Sequence, residues 1–492
     1  MKPKAATLGR PLDRDLIWLG LIALALPLAR AGLLAAGGFD LHFDEAQYWE
    51  WSRRLDWGYY SKGPLVAWLI AASTGLLGHG EWQVRLPAWL AYDAWLAVLF
   101  LFAREVWDSS RAGWTAVALG LATPLYFLLG GVMTTDVLLL TLWTAGLWAA
   151  YRLASAPGPG AWYAFGAAVG LGVLTKLSIG LLPLTVLPAL LTSPTVRRQL
   201  LGPHPWLAAL LALALASPVV GWNVANDWVM LRHERGHVAV SEARLGSLLE
   251  FVAGQALALS PPLAVLIGWR LLRWPAHPPQ RVLWLGSVAV VVFFLAKAAA
   301  SKVQINWPAP AYIGLLVLLA GQVEALSRGQ RRLFGPGLAL GALFSLLALF
   351  PRLVGLPGDR DPFAEMKAWR APVEELARQA GPVDFLLTSR YHLTAELAFY
   401  WPQPIEAYVT SDRGRRMNQY DLWPGVNREV GRVGLFVATQ PQGPTVLGQV
   451  FASCAPLEPI PARAADGRLL RTLYGWRCEG YRPIDWPRPE SY

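Results

Sequence analysis

The sequence predicts a multi-span α-helical membrane protein, with about 11 transmembrane helices over residues 1–350 and a C-terminal soluble α/β domain over residues 351–492. Three observations carry this prediction. Hydrophobic residues make up 54% of the 492-residue chain and charged residues only 15%, which is too apolar for an ordinary soluble enzyme. The apolar residues fall in long blocks such as 17–34 and 112–129, each near the length that crosses a hydrocarbon core of about 30 Å. Arg and Lys gather in the short connectors between blocks, as the positive-inside tendency requires. The formal charge of +10 therefore reads as membrane topology, and nucleic acid is excluded as a partner.

In chain order, Lys2, Lys4, Arg10 and Arg14 form a basic tail taken as cytoplasmic. The first span, about 15–36, is retained rather than cleaved, because its apolar stretch exceeds the roughly 7–15 residues of a signal peptide and acidic and aromatic residues follow it. It delivers a first outer loop, 38–83, to the far face. A second span, 85–102, returns to Arg104 and Arg111. Spans three and four form a hairpin with Thr134, Thr135 and Asp136 at its outer turn and Arg152 at its return. Spans five and six lie within 161–191 and turn outside near Lys176, and Arg197 and Arg198 follow. Span seven, 206–220, leads to a second outer loop, 222–244, and span eight, 247–269, ends at Arg270, Arg273 and Arg281. Two more spans enclose the outer segment 297–307, and Arg328, Arg331 and Arg332 precede the eleventh, which ends near Phe350.

Residues 351–492 contain no spanning block. Pro362 starts a helix whose apolar positions are Phe363, Met366, Trp369, Val373 and Leu376, with Pro372 placed to kink or divide it. The runs 383–388, 405–410 and 433–438 read as short buried strands. Cys454 and Cys478 are the only cysteines, in a segment placed outside the cytoplasm, and form one disulfide or remain two free thiols.

The chemistry concentrates in the first outer loop, where Phe39-Asp40-Leu41-His42-Phe43-Asp44-Glu45-Ala46-Gln47-Tyr48-Trp49 precedes Trp57-Gly58-Tyr59-Tyr60-Ser61-Lys62-Gly63-Pro64. Aromatic rings interleaved with charges suit the lipid headgroup boundary, and an interfacial anchor with solvated charges accounts for that pattern alone. Phe43-Asp44-Glu45, Tyr59-Tyr60-Ser61-Lys62-Gly63-Pro64 and, farther on, Leu174-Thr175-Lys176 together resemble the GT-C superfamily of polyprenyl-phosphate-sugar glycosyltransferases. The resemblance is to the bacterial protein-mannosyltransferase-like and lipid A aminoarabinose transferase-like branch, glycosyltransferase families 39 and 83, over nearly the whole chain.

That resemblance implies a GT-C-like core and inverting transfer of a sugar from a polyprenyl-phosphate-linked donor to a lipid, glycan or exported protein acceptor. It places the reaction at the periplasmic face of a bacterial inner membrane. Asp44 would be the catalytic base, and Lys62 would meet the donor phosphate, with Lys176 and Lys302 as further phosphate-binding cations. Glu45, Tyr59, Tyr60, Asp136, Arg232, His233 and Asn306 would support the site or bind sugar. Adjacent side chains do not share a helix face, so Glu45 has a structural rather than a second-base role. The branch carries an acidic residue, part of a metal site, where this chain has Ser61, so no cofactor is required, although a divalent metal on His42, His233 or His237 stays open. The segments containing Arg390-Tyr391-His392 and Arg415-Arg416-Met417-Asn418 guide an acceptor or pack the external domain. From the residues alone a non-enzymatic polyprenyl-lipid transporter or flippase, binding the same lipid without breaking it, is the alternative, and a membrane assembly protein is a third.

Overall fold

The computed structural model describes residues 12–37, 39–238, 245–349, 363–411, 414–443 and 446–489. The basic residues Lys2, Lys4 and Arg10, the distal part of the second outer loop, Pro362 and Arg413 lie outside them. The first helix, α1 (Leu12–Gly37), leads to a short, largely buried helix, α2 (Phe43–Ser52), and then to α3 (Leu65–Leu77). Next come α4 (Glu81–Trp107), α5 (Ser110–Ala122), α6 (Pro124–Leu129), α7 (Thr135–Ser155) and α8 (Pro159–Val173). They are followed by α9 (Leu181–Leu190), α10 (Pro194–Gln199), α11 (Pro203–Ala225) and α12 (Val229–Val238). The rest of the helical part is α13 (Leu245–Leu259), α14 (Pro261–Leu271), α15 (Pro278–Ala300), α16 (Ile313–Ala320) and α17 (Arg328–Leu349).

This arrangement corrects the expected span count. Among the described residues five helices are long and apolar enough to cross a membrane: Arg14–Leu34, Glu81–Trp107, Thr135–Ser155, His204–Ala225 and Pro278–Ala300. A sixth arises if Gly246–Leu259 and Pro261–Leu271, bent by 108° to one another, are taken as one span. The count of about 11 fails because hydropathy averages over breaks in the backbone ladder. Pro124 follows a non-helical Thr123 and divides the block 112–129, Pro261 stands at the sharp bend, and Leu177–Leu190 and Ala309–Ala320 are apolar but short. The chain is nonetheless a multi-pass membrane protein with a soluble C-terminal domain.

The C-terminal part contains a mixed sheet in the order β2 (Glu406–Val409), β1 (Phe385–Thr388), β3 (Gly434–Ala438), β6 (Leu469–Tyr481) and β4 (Phe451–Pro456), with β5 (Ile460–Arg463) also paired to β6. The first three strands are parallel neighbours and coincide with the three runs read from the sequence. The antiparallel strands were not foreseen, since β4 is exposed along most of its length and lacks a buried run. The expected helix starting at Pro362 is divided: a single turn at Ala364–Met366 precedes α18 (Arg370–Ala380), with Pro372 in the first turn where its missing N–H costs nothing. Cys454 and Cys478 face each other across β4 and β6 and are joined by a disulfide.

The sheet domain is seated directly on the first outer loop. Its helix α19 (Tyr391–Tyr400) packs along α2. The Leu41 amide donates to Tyr400 Oη at 2.7 Å, the Trp369 amide donates to Asp40 Oδ2 at 2.7 Å, and the Tyr60 amide donates to Gln419 Oε1 at 2.6 Å. The segment that looked chemical in the sequence is thus clamped between the helical core and the sheet domain.

Candidate active site

The site begins with the way α2 is capped. His42 Nδ1 accepts from the Asp44 amide at 3.3 Å, and Glu45 reaches back to accept from the His42 amide at 3.0 Å, which closes a capping box. Glu45 is wholly buried and fully engaged: Arg85 binds it through Nε (2.9 Å to Oε1) and Nη2 (2.7 Å to Oε2), and the Met133 amide donates to it at 2.8 Å. Arg85 also donates to the carbonyls of Phe39 and Asp40, so one guanidinium ties α4 to the entry of α2. Glu45 therefore sets the helix, and Asp44, one residue earlier, points elsewhere.

Asp44 lines a cavity of about 1070 Å³ that also has Tyr60, Lys62, Asp136, Lys176, His233 and Asn306 in its walls. Its carboxylate lies 3.9 Å from His42 Nδ1 and keeps 36% of its side chain open to the cavity. Enclosure by protein raises the Asp44 pKa above the ordinary carboxylate value, with His42, Lys62 and Lys176 pulling the other way. Lys62 is enclosed too, which lowers its pKa, and Glu234 Oε1 at 3.6 Å is the charge that most favours its protonated form.

A second cation is brought in by backbone pairing of two distant motifs. The Gly63 amide donates to the Thr175 carbonyl at 3.3 Å and the Leu65 amide to Leu174 at 2.9 Å, in the break between α8 and α9. A Cβ on Gly63 would lie 2.2 Å from the Leu174 carbonyl oxygen, so only glycine permits the approach. Lys176 leaves that break and binds Asp136 Oδ1 at 2.8 Å, while Asn306 Nδ2 donates to Asp136 Oδ2 at 2.9 Å. Asp136 is in the first turn of α7, where a helix N-terminus favours an anion.

Four of the expected site residues stand elsewhere. Glu45 is behind the cavity wall. Tyr59 is fully buried, stacked on Trp51 at 4.5 Å with its hydroxyl donating to the Trp51 carbonyl. Lys302 is 76% exposed and pairs with Glu250. Arg232 is exposed on α12 and outside the cavity lining.

The cavity also has residues that were not assigned a catalytic role from the sequence. The sheet domain supplies Tyr391, His392 and Arg416, with Arg416 Nη2 3.1 Å from His233 Nδ1 and His392 edge-on to Phe43 at 4.2 Å. Burial, with His42 and Arg390 adding to it, holds His392 down to about 4, so it is neutral at pH 7. Arg30 lines the cavity from α1, where it had been read as part of an apolar block. Among the described residues no group of three or more His, Cys, Asp and Glu side chains is placed to hold a metal ion.

The arrangement joins a carboxylate able to accept a proton, two lysines able to stabilise a phosphate, and an apolar lower wall that includes Leu33, Leu34, Leu128 and Phe344. The dolichyl-phosphate-mannose-protein mannosyltransferase family matches residues 61–222. The lipid A galacturonosyltransferase RgtD of Rhizobium johnstonii is 32% identical over 399 residues, covering 77% of this chain and 81% of the relative. The undecaprenyl phosphate-alpha-4-amino-4-deoxy-L-arabinose arabinosyl transferase of Aeromonas hydrophila is 25% identical over 341 residues, covering 62% of this chain and 60% of that one. Among solved structures, ArnT from Cupriavidus metallidurans bound to undecaprenyl phosphate shares the fold, with a TM-score of 0.68 at 18% identity over 94% of this chain and 98% of its own. Likeness to a galacturonosyltransferase along four-fifths of that relative's length, on this fold, shows that the chain is an enzyme and belongs to the GT-C superfamily of polyprenyl-phosphate-sugar glycosyltransferases.

Proposed function

We propose that this enzyme moves a sugar, with inversion, from a polyprenyl-phosphate-linked donor to a lipid acceptor at the periplasmic face of a bacterial inner membrane. In this reading residues 1–350 form the catalytic membrane domain and 351–492 the periplasmic domain. The observation that carries it is the single cavity in which Asp44 stands with Lys62 and Lys176 above an apolar wall. The acceptor hydroxyl gives its proton to Asp44 as its oxygen bonds to the anomeric carbon. The carbon–oxygen bond to the polyprenyl phosphate breaks on the opposite side, and its electron pair leaves with the phosphate, which Lys62 and Lys176 stabilise. Phosphate is already a competent leaving group, so one carboxylate suffices where a glycoside hydrolase needs two. A lipid acceptor is favoured by the apolar wall and by a relative named for lipid A. The disulfide favours the oxidising side of the membrane for the sheet domain.

The test is product formation by purified protein given a polyprenyl-phosphate sugar and candidate acceptors, read by mass spectrometry and by NMR of the new anomeric centre. An inverted linkage is expected, and a retained one would overturn the mechanism. On the same preparation Lys62→Met, which keeps stem volume and deletes the charge, is expected to weaken donor binding about ten- to a hundredfold. Unchanged binding and turnover would remove Lys62 from the site.

Orientation has its own check. Tags in the first outer loop and at Tyr492 are expected to share the periplasmic face, because the sheet domain is hydrogen-bonded to that loop and carries the disulfide. The opposite protease accessibility would reverse the assigned face.

A further inference from the structure

Glu396 is the unexplained group where the sheet domain meets α2. It lies in α19, which packs along α2, and it is 0% exposed. Among the described residues neither of its carboxyl oxygens has a hydrogen-bond partner. Asp40 before α2, Glu45 on α2, Arg85 on α4 and Arg471 on β6 are the charges around it, and Tyr400 follows on its own helix with the Glu81–Arg370 pair beside it. Both nearby guanidiniums are already committed. Arg85 holds Glu45 and the carbonyls of Phe39 and Asp40, and Arg471 donates to the Lys367 carbonyl at 2.7 Å while lying over the Trp369 ring at 4.0 Å. Burial, reinforced by Asp40 and Glu45, pushes the Glu396 pKa well above the ordinary glutamate value. An apolar side chain in this place would cost less than a carboxyl group left without hydrogen bonds, so packing alone does not account for Glu396.

We propose that Glu396 is a proton-operated clasp between the sheet domain and α2, closed while its carboxyl group carries a proton and loosened when it ionises. The neutral group adds no charge to the interface. The ionised group sets a further carboxylate beside Asp40 and Glu45 and competes with Glu45 for Arg85, the guanidinium that anchors α2. A buried charge without hydrogen bonds is relieved by reaching water, which here means lifting α19 from α2. Glu396 holds its proton more tightly docked than free, so docking is strongest in acid. It weakens by up to about tenfold per pH unit as the pH rises from the ordinary glutamate value toward the docked one. Tyr391 and His392 begin the same helix and line the cavity, so loosening the clasp draws that wall away from Asp44. The protonation of one buried acid is thereby coupled to how far the cavity stands open.

The experiment is hydrogen–deuterium exchange of the full-length protein in detergent, read by mass spectrometry from acid to alkaline pH and corrected for intrinsic exchange rates. Peptides from α19 and from residues 39–45 report docking, and peptides from α7 and β3 serve as controls. Protection of the two docking segments is expected to fall with rising pH in the unaltered protein. Glu396→Gln keeps the shape of the side chain and cannot ionise. Its protection is expected to match the unaltered protein in acid and to exceed it by about tenfold or more on the alkaline side. If Glu396→Gln does not fold, Glu396→Leu is read in its place, with the same gain in alkaline protection expected and no gain counting against the clasp. Parallel pH curves for Glu396→Gln and the unaltered protein would overturn the proposal. So would an equal gain in the α7 and β3 peptides, which would make Glu396 a determinant of overall stability and not of docking. The readout needs neither donor nor acceptor, so the clasp and the transfer reading fail separately.

Discussion

Asp44→Asn is expected to lower transfer about 10²–10⁴-fold at saturating donor and acceptor, with the protein folded and its lipid binding largely kept. Asparagine preserves size and hydrogen bonding but cannot take the hydroxyl proton. Glu45 does not rescue it, because that carboxylate is wholly buried against Arg85 and the Met133 amide. The pH dependence carries the same assignment. Enclosure raises the Asp44 pKa above 3.8, so the basic form is lost on acidification earlier than an exposed aspartate would lose it. The rate is therefore expected to rise with pH through a midpoint above 3.8 and then level off. Near-normal turnover by Asp44→Asn, measured beside donor binding and monodispersity, would transfer the base role to another group.

Arg85→Met is expected to have the largest effect on stability, about 3–5 kcal/mol, because it leaves the Glu45 carboxylate buried without its counter-ion. The same change frees the Phe39 and Asp40 carbonyls, so α2 loses its anchor and Asp44 its position. A lower unfolding temperature together with lost transfer is the expected outcome. Adding Glu45→Leu should recover part of the stability, since removing both partners of a buried pair is far less costly than removing one. It should not recover transfer, because the capping box is gone. An unchanged unfolding temperature in Arg85→Met would show that the pair does not anchor the helix.

Much of this site was legible because its residues sit in local patterns that survive folding. Asp44, Lys62, Asp136, Lys176 and Asn306 all come to one cavity from four separate stretches of sequence. What joins them was not legible. The pairing of Gly63 with the break after α8 is a backbone contact, and no spacing rule reports it. Tyr59 and Tyr60 are adjacent, yet one packs in the core and the other lines the cavity, because successive residues of an extended segment face opposite ways. Lys302 shows the reverse failure, a cation in a plausible outer segment that turns to solvent.

The span count failed for a related reason. Hydropathy registers that 112–129 and 247–269 are apolar but is blind to Pro124 and Pro261, where the helical ladder ends. Arg30 was hidden by the same averaging, as one charge in a long apolar block. In the sheet domain the three parallel strands announced themselves by continuous buried runs. The exposed β4 and the long β6 are held by pairing across the disulfide, and single-sequence patterning does not see partners.

Both lysines that line the cavity are already engaged. Lys62 has Glu234 at 3.6 Å and Lys176 has Asp136 at 2.8 Å, so under the proposed mechanism an arriving phosphate would trade places with a carboxylate instead of meeting a bare charge. The donor's affinity would then be the difference between two attractions of similar kind. On that reading Glu234 and Asp136 would be at hand to reclaim their lysines once the sugar has gone. In that scheme the resident carboxylates would act as placeholders and would help release the spent lipid.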